Sequence, residues 1–160
     1  MVTAMPERLR GLGDRIRRAR LASGLTEDAL AEVLDLDQTT ISKWERGDIQ
    51  PLGHRRRELA RALSVHYHAL FIPEEVEAQL TPDERRLLLT ARRYRGGDAL
   101  YIRCDRSDRA ASRLRLLWLI EDAGNDPRRR PLGDTRRLFF VTGPGEDVLL
   151  ILQADEERLR

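Results

Sequence analysis

A chain of 160 residues with 41% apolar side chains can bury a core in one ordinary domain or two small ones, which excludes wholesale disorder. Charged residues make up 35% of it and aromatics 5%, a balance that favours helices laced with surface ion pairs over a β-rich sandwich. The formal net charge of +2 is too small to announce a nucleic-acid partner by itself: residues 1–72 carry 12 basic and 10 acidic side chains, and residues 73–160 carry 17 of each.

Lys43 is the one lysine among 29 basic residues, a bias that reads as the mark of GC-rich coding. The single Cys104 excludes an intramolecular disulfide and a multi-cysteine zinc site, and fits a reducing compartment. The first 20 residues mix apolar residues with arginines and lack the apolar stretch of a signal peptide. The longest strongly apolar run, Leu116 to Ile120, falls far short of the roughly 20 residues a membrane span needs. A soluble, cytoplasmic protein without membrane contact is expected.

In chain order, Leu12, Ile16, Ala19 and Ala22 recur at helical spacing between arginines, predicting a first helix from Leu12 to Ser23 that Gly24 ends. Thr26 is placed to cap a second helix through Leu34, with Glu27 and Asp28 in its first turn. Asp35, Leu36 and Asp37 form a short connection, and Asp37 can cap a third helix from Gln38 to about Arg46, stopped by Gly47. After the turn marked by Pro51 and Gly53 come a fourth helix, His54 to Leu63, and a short fifth one, His66 to Phe71. His66 and His68, two apart and without a nearby cysteine, read as structural or surface residues, not metal ligands.

Residues 73–80 are acidic and read as a linker or short helix. Thr81 with Glu84 forms a capping box, with Pro82 at the first helical position, opening a helix expected to end at Gly96 and Gly97. Another helix is expected from Asp108 to Ala123, while Ala99 to Cys104 fits strand or helix equally. Two apolar runs, Leu138 to Thr142 and Val148 to Leu152, flank a glycine- and proline-bearing connection and predict a β-hairpin. Residues 128–137 read as an arginine-rich exposed loop. No cofactor-binding or catalytic framework emerges: Cys104 and three scattered histidines define no triad.

The function is carried by a distributed pattern: Leu12-Gly13-Asp14-Arg15-Ile16-Arg17, Arg20, Gly24-Leu25-Thr26, Leu30-Ala31, Ile41-Ser42, Glu45-Arg46-Gly47, Pro51, Leu59-Ala60 and Leu63. Spaced over some 60 residues, it resembles the helix-turn-helix of the Xre/Cro/CI family. The resemblance implies a mainly α protein: a five-helix, lambda-repressor-like domain over residues 1–72, which binds DNA. Residues 81–160 would follow as a small α+β region of two main helices and the C-terminal hairpin, serving dimerisation or sensing.

Two short helices joined by a tight turn cross steeply and leave one projecting. On that third helix Ile41 and Trp44 should face inward, while Gln38, Thr39, Ser42 and Lys43 point outward as major-groove base readers. Thr26, Arg46, Arg55 and Arg56 are the candidate phosphate contacts. Arg20 and Glu45 resemble the family's salt bridge between the first and third helices. Two departures bear on the site: Asp35 stands at the turn position usually held by glycine, and Glu27 where the family often has a phosphate-contacting glutamine. Asp35, Asp37 and Asp48 bring further negative charge near the expected DNA face.

The reading is therefore a transcriptional regulator, a repressor, acting on double-stranded DNA as a homodimer with no metal or other cofactor. A ligand or protein partner for its C-terminal region stays open. The rival reading is a protein-binding module, such as an antitoxin-like component whose tail captures a partner. A winged helix, with residues 143–147 as the wing, is a further alternative for the tail.

Overall fold

Short polar punctuation divides residues 7–72 into five helices: α1 (Glu7–Ala22), α2 (Glu27–Val33), α3 (Gln38–Arg46), α4 (His54–Ala62) and α5 (Tyr67–Leu70). The computed structural model describes residues 7–93, 98–105, 108–123 and 136–159. They belong to two compact units, Met1–Ile72 and Pro73–Arg160.

In the first unit the Thr26 hydroxyl caps α2 by accepting from the Ala29 amide at 3.1 Å, and Glu27 and Asp28 place negative charge against the helix dipole. Asp35 takes the left-handed conformation, φ 52°, that lets the chain turn from α2 into α3. Asp37 precedes α3 in extended conformation, but its side chain makes no capping bond, contrary to the sequence expectation. Gly47, at φ 72°, closes α3. Ile16 from α1, Leu30 and Ala31 from α2, Ile41 and Trp44 from α3, and Leu59 and Leu63 around α4 are all buried. Ala31 is 3% exposed, so a larger side chain has no room at that helix crossing.

The described residues of the second unit form four helices and a four-stranded antiparallel sheet: α6 (Pro73–Glu77), α7 (Pro82–Leu89), β1 (Arg92–Arg93), β2 (Leu100–Asp105), α8 (Arg109–Leu116), β3 (Ile120–Asp122), β4 (Arg136–Val141) and α9 (Gly143–Arg158). The strand order is β1-β2-β4-β3. Ile102 lies opposite Phe139, and Ile120 opposite Val141; all four are buried. The helix α9 packs on α6, α7 and β4, and α8 on α7.

The structure decides the readings left open for this unit and corrects others. The segment 73–80 holds α6, whose Val76 is buried together with Leu80 just beyond it. The Thr81–Glu84 capping box is present, but α7 stops at Leu89 with Thr90 as its C-cap, well before the glycine pair. Gly96 and Gly97, like the arginine-rich stretch 128–135, lie outside the described residues. The ambiguous Ala99 to Cys104 segment resolves as strand β2.

The helix expected through Ala123 ends at Leu116, because Trp118 turns left-handed (φ 55°) and the apolar run continues as β3. A fully buried strand and a buried helix share the same uninterrupted hydrophobicity, and periodicity cannot separate them.

The predicted C-terminal hairpin is absent. Its first run is β4, but its second lies in the 16-residue α9. Thr142 caps that helix by accepting from Gly145, and Pro144 sits at its start, so the supposed turn is a helix N-terminus. Val148, Leu149 and Leu152 are buried at i, i+1 and i+4, one helical face. With no hairpin there is no wing at residues 143–147, and three substantial helices replace the expected two.

Candidate nucleic-acid interface

The helix α3 is divided sharply by burial. Ile41 and Trp44 are 0% and 4% exposed, whereas Gln38, Thr39, Lys43 and Arg46 are exposed and Ser42 is half-buried. The predicted base readers therefore share one accessible polar surface. It is already internally wired: Gln38 Nε2 donates to the carboxylate of Glu27 at the start of α2. Arg46 Nη1 donates to Ser42 Oγ at 2.8 Å, and Arg46 Nε to Asp48 Oδ2 at 2.8 Å. Thr26 is exposed at the neighbouring N-terminus of α2.

Behind this face Arg20 joins three helices. Its Nε and Nη2 donate to the two carboxylate oxygens of Glu45 at 2.5 and 3.0 Å, and Nη1 donates to the Leu25 carbonyl at 2.8 Å. The side chains of the pair are 8% and 5% exposed. Hydrogen bonding to Glu45 raises the Arg20 pKa beyond the ordinary arginine value, while burial opposes it. The carboxylate of Glu27 lies 4.0 Å from Arg20 Nη2, so the cation bridges α3 and α2 electrostatically.

The four candidate phosphate contacts have different fates. Thr26 and Arg46 are exposed. Arg55 is half-buried, with Nη1 donating to the Leu34 carbonyl at 2.7 Å and to Glu58 at 3.0 Å. The assignment of Arg56 is corrected: it is 1% exposed. Its Nε donates to the Pro51 carbonyl at 3.1 Å and its Nη2 to Gln50 at 3.0 Å, with the guanidinium 4.7 Å from the Phe71 ring centre. It is a core cation that closes the α3–α4 connection. Its spacing held the signal: Arg56, Leu59, Ala60 and Leu63 stand at i, i+3, i+4 and i+7, the buried stripe of α4.

The match to known families covers this unit. The helix-turn-helix family model matches residues 16–70. The chain is also similar to the HTH-type transcriptional regulator DicA of Escherichia coli (strain K12), 29% identical over 79 residues, 49% of this chain and 58% of that protein. It therefore spans little more than half the length of that relative. Among solved structures it resembles the restriction-modification controller protein C.AhdI from Aeromonas hydrophila (33% identity, 39% of this chain and 96% of that one, TM-score 0.38). It also resembles the clp gene regulator ClgR from C. glutamicum (24% identity, 47% of this chain and 96% of that one, TM-score 0.39).

Within the helix-turn-helix domain, sequence reasoning missed the contacts that hold the base-reader candidates. Nothing in the local sequence links Glu27 to Gln38; only the crossing of α2 and α3 brings their first residues together. Among the described residues no group of three or more His, Cys, Asp or Glu is placed to hold a metal ion, and no helix is long and apolar enough to cross a membrane.

Proposed function

We propose that this chain is a sequence-specific, cytoplasmic transcriptional regulator, a repressor without enzymatic activity, that reads the major groove of double-stranded DNA with α3. The observation that supports it is the division of α3: Ile41 and Trp44 anchor it in the core, leaving Gln38, Thr39 and Lys43 exposed, with Ser42 beside them. An α-helix fits the major groove, where side-chain amides pair with adenine and lysine reaches guanine. Thr26 and Arg46 supply phosphate contacts that set register, and Arg55 joins them by exchanging its Glu58 contact for phosphate.

One helix of nine residues reads too few base pairs for tight specificity. The chain is accordingly read as a homodimer, its C-terminal unit serving association or the reception of a signal, with half-sites about 34 Å apart.

Selection of genomic DNA fragments by the purified full chain tests this function. Enrichment of a common, roughly palindromic sequence, weakening steeply with salt, is the expected result. Retention of no fragment, together with copurification of a stoichiometric protein partner, would transfer the assignment to a protein-binding module.

A further inference from the structure

The strand register of the second unit sets Arg92, Tyr101, Phe140 and Glu121 side by side, one from each strand of the sheet. Directly opposed residues of antiparallel strands share a face, so the four form one row across it. This is the face away from the core, because the alternating residues Ile102, Phe139, Val141 and Ile120 are buried on the other side. Arg92 is exposed, and Tyr101, Phe140 and Glu121 are half-buried. Two residues along the same face, Arg103 is exposed and Leu138, opposite it, half-buried.

From β1 to β3 the row reads cation, aromatic, aromatic, anion. A second copy, turned about a two-fold axis that runs along the strands between β2 and β4, reads it in the reverse order. Each Arg92 then faces a Glu121, and each Tyr101 a Phe140. Both charged groups keep capacity for this contact. Glu121 accepts from Trp118 Nε1 through Oε1, which leaves Oε2. Arg92 donates from Nη1 to the Leu89 and Ala91 carbonyls at 3.0 and 2.8 Å, which leaves Nε and Nη2.

We propose that two copies of the chain associate through this face, sheet against sheet, with Tyr101 and Phe140 at the centre and an Arg92–Glu121 contact at each end. This rests on the reading of the chain as a homodimer and names the surface that makes it. At ordinary strand spacing and rise the face measures roughly 300 Å² a side, well below a standard interface. Association is therefore reversible, and single charges matter to it.

Arg92 and Glu121 stand on opposite edge strands, about 14 Å apart across the sheet, too far to meet within one chain. The test is sedimentation equilibrium of the full chain and of its Arg92→Glu and Glu121→Arg variants, alone and mixed, each checked for cooperative thermal unfolding. The wild-type chain is expected to dimerise. Each reversal alone puts like charges together twice per dimer and should weaken self-association about tenfold or more. An equimolar mixture of the two variants should dimerise again, because every contact between unlike copies then pairs opposite charges. The chain carrying both reversals should dimerise as the wild type does. If a reversal fails to fold, Arg92→Gln and Glu121→Gln probe the same contact, each expected to weaken association about threefold.

A wild-type dimer that neither reversal nor neutralisation weakens, or that mixing the reversed chains does not restore, overturns this interface and leaves the homodimer reading standing. A wild-type chain that stays monomeric at every concentration, on duplex DNA as well as off it, overturns both.

Discussion

A β-carbon placed on Gly13 would lie 2.3 Å from the carbonyl oxygen of Glu45 and 2.9 Å from that of Trp44. The helix α1 therefore crosses the last turn of α3 backbone to backbone, and what a side chain would strike is main chain, which cannot swing aside. Gly13→Ala is expected to destabilise the domain by about 1–3 kcal/mol, the usual cost of overpacking. Gly11, two residues earlier, meets, among the described residues, only the flexible end of Arg15 at 3.4 Å. Gly11→Ala should accordingly be neutral or gain about 0.5–1 kcal/mol from the lost backbone freedom of glycine. Urea unfolding of both variants checks the contrast; equal effects would remove the close crossing as an explanation.

The Arg20–Glu45 pair should behave as a buried ion pair does, costly to halve and cheap to replace whole. Glu45→Ala leaves the guanidinium without either carboxylate oxygen in a nearly solvent-free position and should cost about 3–5 kcal/mol. The double replacement Arg20→Met with Glu45→Leu should recover much of that loss. A double-mutant cycle by chemical denaturation measures the coupling, and a value near zero would mean that the pair contributes nothing net.

How far such features could be read beforehand depends on whether their cause is local. In the first unit the ends fixed by local chemistry were legible: Thr26 caps α2, Asp35 turns left-handed, and Gly47 stops α3, whereas α1 begins at Glu7, before the expected Leu12. The inward face of α3 was equally legible, since Ile41 and Trp44 stand one turn apart. The second unit resisted because its decisive facts are tertiary. Val148 to Leu152 suits a strand by composition, yet it is held as helix by the Thr142 cap and by Gly145, where an added β-carbon would lie 2.0 Å from the Leu119 carbonyl oxygen. At the candidate interface, the outward residues followed from helical geometry, whereas the contact of Gln38 with Glu27 required α2 and α3 to be assembled.

Cys104 lies on the core-facing side of β2, 6% exposed. Burial, followed by the negative charges of Asp108 and Asp105, pushes its thiol up to about 11. At pH 8.5 the native protein should therefore react with iodoacetamide about a hundredfold more slowly than the unfolded chain, whose thiol titrates near its ordinary value of about 8.5. The linkage has a definite sign. A thiol that holds its proton more tightly when folded adds stability below about pH 8.5, and this is lost as pH rises toward 11. Stability of the wild-type chain should fall across that window more steeply than that of Cys104→Ala, and parallel pH profiles would contradict the shift.

Arg46 and Arg56 carry the same group in opposite settings, and their substitutions should separate binding from folding. Arg46 is 59% exposed at its side chain and, among the described residues, bonded to Asp48 and Ser42, so it can exchange these partners for phosphate with little loss. Arg46→Ala should leave the unfolding midpoint nearly unchanged and lower the salt dependence of DNA binding, the slope of log K against log salt falling by about one. Arg56, fixed by Pro51 and Gln50 and lying over Phe71, has no surface from which to reach a phosphate. Arg56→Ala should lower the unfolding midpoint, while the fraction that remains folded shows the wild-type salt slope. Measured at a temperature where both variants are folded, a reduced slope for Arg56→Ala instead of Arg46→Ala would reverse these roles, requiring α4 to turn its buried stripe outward on binding.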